Sequence, residues 1–211
     1  MVINAMPEPQ ISRSQNPQAS HVLTWLEAHV SPKRLDHILG VEKTAHALAL
    51  HYREDAQKAA WAGLLHDLAK HFPPRKLLAE AQRFGLVVDP VCQKNPHLLH
   101  ADIGAALAQE LFGETDAQVL QAIANHTLGN PEMDRLSQIL YLADWIEPMR
   151  KGPDVDHVRT LAWDNLEEAT MLGCFYVLED LSKNGQPVHP RTQCTYDWLA
   201  QKLSLCEPEK S

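Results

Sequence analysis

A chain of 211 residues with 45% apolar content can bury one substantial core, so one domain is the first expectation. The formal net charge of -8 argues against sequence-independent nucleic-acid binding, which needs clustered Lys and Arg, although a phosphate ligand stays open where a metal and a few local cations reverse the sign. No run approaches the ~18 apolar residues of a membrane span and no basic-then-apolar leader opens the chain. Cys92, Cys174, Cys194 and Cys206 show no C-x-x-C pairing, so a soluble cytoplasmic protein with reduced thiols is expected.

In chain order, residues 1–19 carry Pro7, Pro9 and Pro17 among Gln, Ser and Asn without any period, the signature of a disordered leader. From Ser20 the apolar residues recur at helical rather than strand spacing, and the fold class is read as all-α, one domain over residues 20–205 with a tail at 206–211. Val22, Trp25 and Leu26 mark a first helix. Ser31-Pro32 reads as the cap and first-turn proline of a second, which carries Ile38, Val41, Ala45 and Leu48. Trp61, Leu64, Leu65 and Leu68 form the next stripe, with His66 and Asp67 off its centre. A helix from Pro73-Pro74 closes at Gly85, a loop with Pro90 and Pro96 follows, and Ile103, Leu107 and Leu111 mark a helix closed by Gly113. Leu120, Ile123 and Ala124 precede His126-Thr127 and the Gly129-Asn130-Pro131 break. Leu136, Ile139, Leu140 and Ala143 place Asp144 near a helix end before Pro148. Val158, Leu161 and Ala162 begin one long region ending at Gly185, followed by a loop and a short last helix. Trp163, Phe175 and Trp198 could serve a homodimer interface as readily as the core.

The chemistry is carried by His37, His66, Asp67 and Asp144, each at a helix edge beside an apolar stripe. The His-Asp dipeptide alone is weak evidence, and a single His at a helix end is more often a solvated or capping residue. Together, imidazoles and carboxylates without thiolates suit a borderline divalent ion such as iron, manganese, cobalt, nickel or zinc. His100 and His126 fit either a second ion or a phosphate contact, so the count is one or two.

The series R-L-D-H-I-L-G-V, A-G-L-L-H-D-L-A-K, L-H-A-D-I-G, N-H-T-L-G and Y-L-A-D-W-I-E-P-M-R, running from about Arg34 to Arg150, resembles the HD-domain metal-dependent phosphohydrolases. It is most similar to the YqeK family of bacterial symmetrical diadenosine tetraphosphate hydrolases. The resemblance implies an HD-domain helical bundle with a metal site between helices, and iron held by His37, His66, Asp67 and Asp144. It implies phosphate contacts from Arg34, Lys70, His100, His126, Thr127 and Arg150, with Asp67, Leu68, Ala69 and Asp144 also lining the substrate site. Pro190, Arg191, Thr192, Gln193, Cys194 and Thr195 would close over the nucleoside of a small dinucleoside polyphosphate. At Arg191 this chain departs from the acidic or small residue expected there. Asp67, His100 and His126 are the expected catalytic groups. Asp67 would orient water, and the histidines, with pKa values near neutrality, would stabilise the transition state or protonate the leaving phosphate.

Overall fold

The computed structural model describes residues 17–204, and among them eleven α-helices, one short 3-10 turn and no strand. The helices are α1 (Pro17–His29), α2 (Pro32–His51), α3 (Ala56–Leu65), α4 (Pro74–Arg83), α5 (Pro90–Lys94), α6 (His100–Phe112), α7 (Ala117–Asn125), α8 (Arg135–Ile146), α9 (Pro153–Leu161), α10 (Leu166–Lys183) and α11 (Pro190–Ser204). Side chains just outside the helices fix several of their starts. Ser31, Asp55, Asp89, Asp116, Asp134 and Asn165 each accept a backbone N–H from the first turn that follows, which satisfies donors that helix geometry leaves orphaned.

Packing brings α2, α3, α7 and α8 together around one core, with α6 against α7, α10 against α8 and α11 against α10. Ile38, Val41, Ala45 and Leu48 of α2 and Leu64 and Leu65 of α3 are fully buried there with Leu68, Ile103, Ile123, Ile139 and Leu140. Gly63 lets α3 lie against α2. A Cβ at that position would stand 2.9 Å from the backbone Cα of Glu42, closer than real side chains come.

Several expectations are corrected. Helix α1 begins at Pro17, so the last three residues of the presumed leader are helical; residues 1–16 and 205–211, with the rest of that leader, the tail and Cys206, lie outside the described residues. The region from Val158 to Gly185 is two helices: α9 ends at Leu161, and Asn165 caps α10 through the N–H groups of Glu167 and Glu168. The last helix is 15 residues long rather than short. The Pro90–Pro96 loop contains α5 and a 3-10 turn. Leu111 is exposed, outside the stripe formed by Ile103 and Leu107. Trp163 and Phe175 are also exposed, and Trp198 is half-buried.

Candidate active site

Four helix ends and one turn meet at the carboxylate of Asp67, which is 2% exposed. His66 and Asp67 follow the last residue of α3, where the chain leaves the helix in a tight turn. His37 comes from the second turn of α2, His100 opens α6, His126 follows α7, and Asp144 lies in the last turn of α8. Oδ2 of Asp67 is 3.5 Å from Nε2 of His66 and 3.8 Å from Nε2 of His37. Oδ1 is 3.5 Å from Nε2 of His100 and 3.8 Å from Nε2 of His126. Asp144 completes the first half, its Oδ1 3.0 Å from Nε2 of His37.

The tautomers follow from what each Nδ1 touches. A carbonyl oxygen only accepts, so Nδ1 carries the proton when it lies at hydrogen-bond distance from one. His66 Nδ1 donates to Gly63 O at 2.6 Å, His100 Nδ1 to His97 O at 2.6 Å and His126 Nδ1 to Ile123 O at 2.7 Å, each reaching three residues back. His37 Nδ1 lies 3.0 Å from Oε1 of Glu147, a buried carboxylate. In the neutral rings of His66, His100 and His126 the lone pair therefore lies on Nε2, the nitrogen nearest Asp67, while Nε2 of His37 lies between Asp144 and Asp67. Nε2 of His66 is buried with no hydrogen-bond partner among the described residues, and Nε2 of His100 and His126 lie only 3.1 Å apart. Ring nitrogens and carboxylate oxygens converging in this way fit a divalent ion, with the outer hydrogen bonds that orient histidine ligands already in place. It divides into His37, His66 and Asp67 on one side and Asp67, His100 and His126 on the other.

Electrostatics separates the histidines. Burial pushes His100 down to about 4, helped by the Lys70 cation, and pushes His126 down to about 3, helped by His66 and His100. Neither is the acid of near-neutral pKa that the sequence suggested; near pH 7 both are neutral rings. For His37, burial works against the proton, but hydrogen bonds to Asp144 and Glu147 outweigh it and raise the pKa. Asp67 and Asp144 are both held well below the usual carboxylate range: burial opposes this, but His66, His100 and His126 outweigh it at Asp67, and the His37 hydrogen bond outweighs it at Asp144.

Cations stand beside the cluster. Arg34 Nη1 binds Asp67 Oδ2 at 2.9 Å, and Arg150 Nη2 binds Asp144 Oδ1 at 3.0 Å. Both line a cavity of about 310 Å³ with Lys33, His37, Glu147 and Met149. Lys70 Nζ and Thr127 Oγ1 approach His100 Nε2 at 3.2 and 3.1 Å. Leu68 and Ala69 send their side chains into the core. Residues 190–195 form the first turns of α11, and the hydrogen bonds of Thr192, Gln193 and Thr195 do not reach the cluster: Thr192 Oγ1 donates to Leu128 O, while Gln193 donates to Asp197 and Thr195 to Arg191 O within α11, and Cys194 is a free, exposed thiol.

The residue region Arg34–Met149 matches the family model described as HD domain. The chain belongs to the HD-domain family. Within it, the chain is 37% identical over 177 residues to the symmetrical bis(5'-nucleosyl)-tetraphosphatase of Bacillus subtilis, covering 84% of this chain and 95% of that one. It is 38% identical to the protein of the same name from Halalkalibacterium halodurans, covering 84% and 94%. A crystal structure described as a predicted HD superfamily hydrolase involved in NAD metabolism, from Clostridium acetobutylicum, superposes with a TM-score of 0.85 at 34% identity, over 87% of this chain and 97% of that one. The His-Asp dipeptide of this chain, His66-Asp67, lies within the matched residues. Sequence reasoning missed Glu147 as the acceptor for His37, although a carboxylate between an apolar helix end and Pro148 was a usable signal. It also missed Lys33, and Gly40, where a Cβ would stand 2.8 Å from Glu147 Oε2.

Proposed function

We propose that this chain is a metal-dependent hydrolase that splits diadenosine tetraphosphate in the middle to give two ADP. One observation carries the reading: the Nε2 atoms of four histidines and the Asp67 carboxylate converge on a point beside a cavity lined by Lys33, Arg34 and Arg150. The names of the relatives supply the substrate.

His37, His66, Asp67 and Asp144 hold the metal, and His100 and His126 with Asp67 offer donors for a second ion. Imidazole and carboxylate without thiolate suit a borderline divalent ion; the family resemblance favours iron among these, with manganese or cobalt as substitutes. When bound, the ion supplies a Lewis acid that polarises a phosphoryl oxygen and lowers the pKa of water toward neutrality. The residues do the rest. Asp67 orients the attacking water by accepting its hydrogen bond. Arg34, Lys33 and Arg150 spread the polyphosphate charge on one side of the carboxylate, and Lys70 and the Thr127 hydroxyl act on the other, where positioned cations and donors stabilise developing charge. Attack at an inner phosphorus expels ADP as a phosphate anion, whose second pKa is about 6. Such a group leaves without a proton near pH 7, in keeping with His100 and His126 being neutral there.

The test is incubation of the purified protein with diadenosine tetraphosphate and iron, manganese or cobalt, followed by separation of the nucleotides. ADP alone is expected. ATP with AMP would move the attacked phosphorus and overturn symmetric cleavage, and no product with any metal would overturn the activity.

A further inference from the structure

The guanidinium of Arg191 is almost wholly engaged by protein acceptors. Nη1 reaches both carboxylate oxygens of Asp102 at 3.2 and 3.0 Å. Nη2 donates to Ala124 O at 3.0 Å and Asn125 Oδ1 at 3.3 Å, and Nε donates to Gly129 O at 3.1 Å. Asp102 lies two residues beyond His100 in α6, about 200° around the helix from it. Ala124, Asn125 and Gly129 flank His126-Thr127 on both sides. One side chain from α11 thus grips the two segments that carry His100 and His126.

The side chain is itself held in place. Its backbone N–H donates to His189 Nδ1 at 3.0 Å, which puts the ring proton on Nε2, and that donates to Asp89 Oδ2 at 2.8 Å. The same tautomer closes the Asp89–Cys92–His189 cluster as an ion site, since Nε2 has no lone pair to give. Thr192 and Thr195 seat the helix further: Thr192 Oγ1 donates to Leu128 O, and a Cβ at Gly129 would meet Thr195 Oγ1 at 2.7 Å. The guanidinium also suits the exposed carbonyls at the C-terminal end of α7, where a cation is favoured, while Asp102 suits the first turn of α6.

We propose that Arg191 is a positioning residue for the proposed hydrolysis, fixing the His100–His126 pair through Asp102 on one side and the end of α7 on the other. Its place in the reaction rests on the reading above. The two Nε2 atoms stand 3.1 Å apart, and displacement of a reacting group by about 1 Å can cost on the order of a hundredfold in rate.

The test measures kcat and KM for diadenosine tetraphosphate, per metal-loaded site, in Arg191→Ala, Arg191→Lys and Asp102→Asn, alongside the ring 15N resonances of His100 and His126. Arg191→Ala is expected to lower kcat at least about tenfold with KM changed by less than about threefold. Arg191→Lys restores part of that loss, because a point charge cannot span all the acceptors. Asp102→Asn gives a smaller fall, and the ring resonances of both histidines shift in each variant. Wild-type kcat per loaded site with only a lowered melting temperature would overturn the proposal, and so would a rise in KM alone, which would make Arg191 a substrate contact. If Arg191→Ala does not fold, the Lys and Asn variants decide. If the wild-type protein leaves the dinucleotide intact, the proposed function fails, and the ring resonances still decide whether Arg191 fixes the two histidines.

Discussion

Replacing Glu147 by Gln tests the tautomer argument at its most exposed point. Glu147 is 1% exposed, and its two oxygens serve two donors: Oε1 faces His37 Nδ1 at 3.0 Å and Oε2 accepts Met149 N–H at 2.7 Å. Gln has one oxygen and one NH2. If the oxygen keeps His37, the NH2 faces the Met149 N–H and one donor is left unmet. If the amide turns over, the NH2 faces Nδ1, the His37 proton moves to Nε2, and the lone pair there is lost. Gly40 packs against the carboxylate and leaves little room for a third arrangement. An unsatisfied buried polar group costs about 1 to 3 kcal/mol. Expressed in metal affinity at about 1.4 kcal/mol per decade, this is a loss of roughly fivefold to 150-fold, in the range seen when partners of metal-binding histidines are removed. The assay is competition with a chelator of known affinity, with the melting temperature of the metal-free protein measured in parallel to detect any part of the cost borne by the fold. Affinity within about twofold of wild type at an unchanged melting temperature would refute the assignment of Glu147 as the group that sets His37.

His66→Ala or Asp67→Ala should abolish turnover of diadenosine tetraphosphate while far-ultraviolet circular dichroism stays that of the wild type; full activity in either would sink the site. Gly63→Ala should lower thermal stability by about 1 to 3 kcal/mol, because its Cβ meets backbone rather than a side chain that can swing away; a calorimetric melting temperature equal to wild type would contradict the packing. Asp89 gives a pH dependence. Burial opposes its ionisation, but hydrogen bonds from Cys92, His189 and Val91 hold its pKa well below the ordinary 3.8. A carboxylate with a depressed folded-state pKa stabilises the fold above its unfolded pKa and loses that contribution as pH falls through the folded value. The gap in melting temperature between wild type and Asp89→Asn should therefore be constant from pH 7 to about pH 5 and narrow below about pH 4, and a gap that widened on acidification would reverse the sign.

Much of this molecule is readable without coordinates, and the rest is hidden for identifiable reasons. Ile38, Val41, Ala45 and Leu48 announce the buried face of α2 through their spacing, and His66-Asp67 stands where that kind of stripe ends in α3. His66, His100 and His126 are visible as a set because each stands where a helix ends or begins. The backbone carbonyls that orient them are not, since any residue supplies a carbonyl and only the turn geometry aims it. The same holds for the acidities: the pattern places His100 and His126 together, but burial decides that they stay neutral, and burial depends on neighbours far away in the chain. Arg191 was picked out by the family resemblance as a substrate contact, whereas its partners at Asp102, Asn125 and Gly129 belong to segments that only the fold brings alongside. The break at Asn165 illustrates a local miss, since the apolar period runs through it and a capping side chain overrides the period.

The convergence on Asp67 has a consequence for the life of the protein. Five separate stretches of chain meet at that carboxylate, and an ion bound among them would add to the cohesion that the Arg34 and Arg150 ion pairs already give. An ion that binds the folded chain and not the unfolded one shifts the folding equilibrium by mass action. Scarcity of the metal would then act twice, slowing turnover and loosening the crossing of α2, α3, α6, α7 and α8. The amount of folded protein would follow the supply of the ion, and the capacity to clear the substrate would fall more steeply than the occupancy of the site.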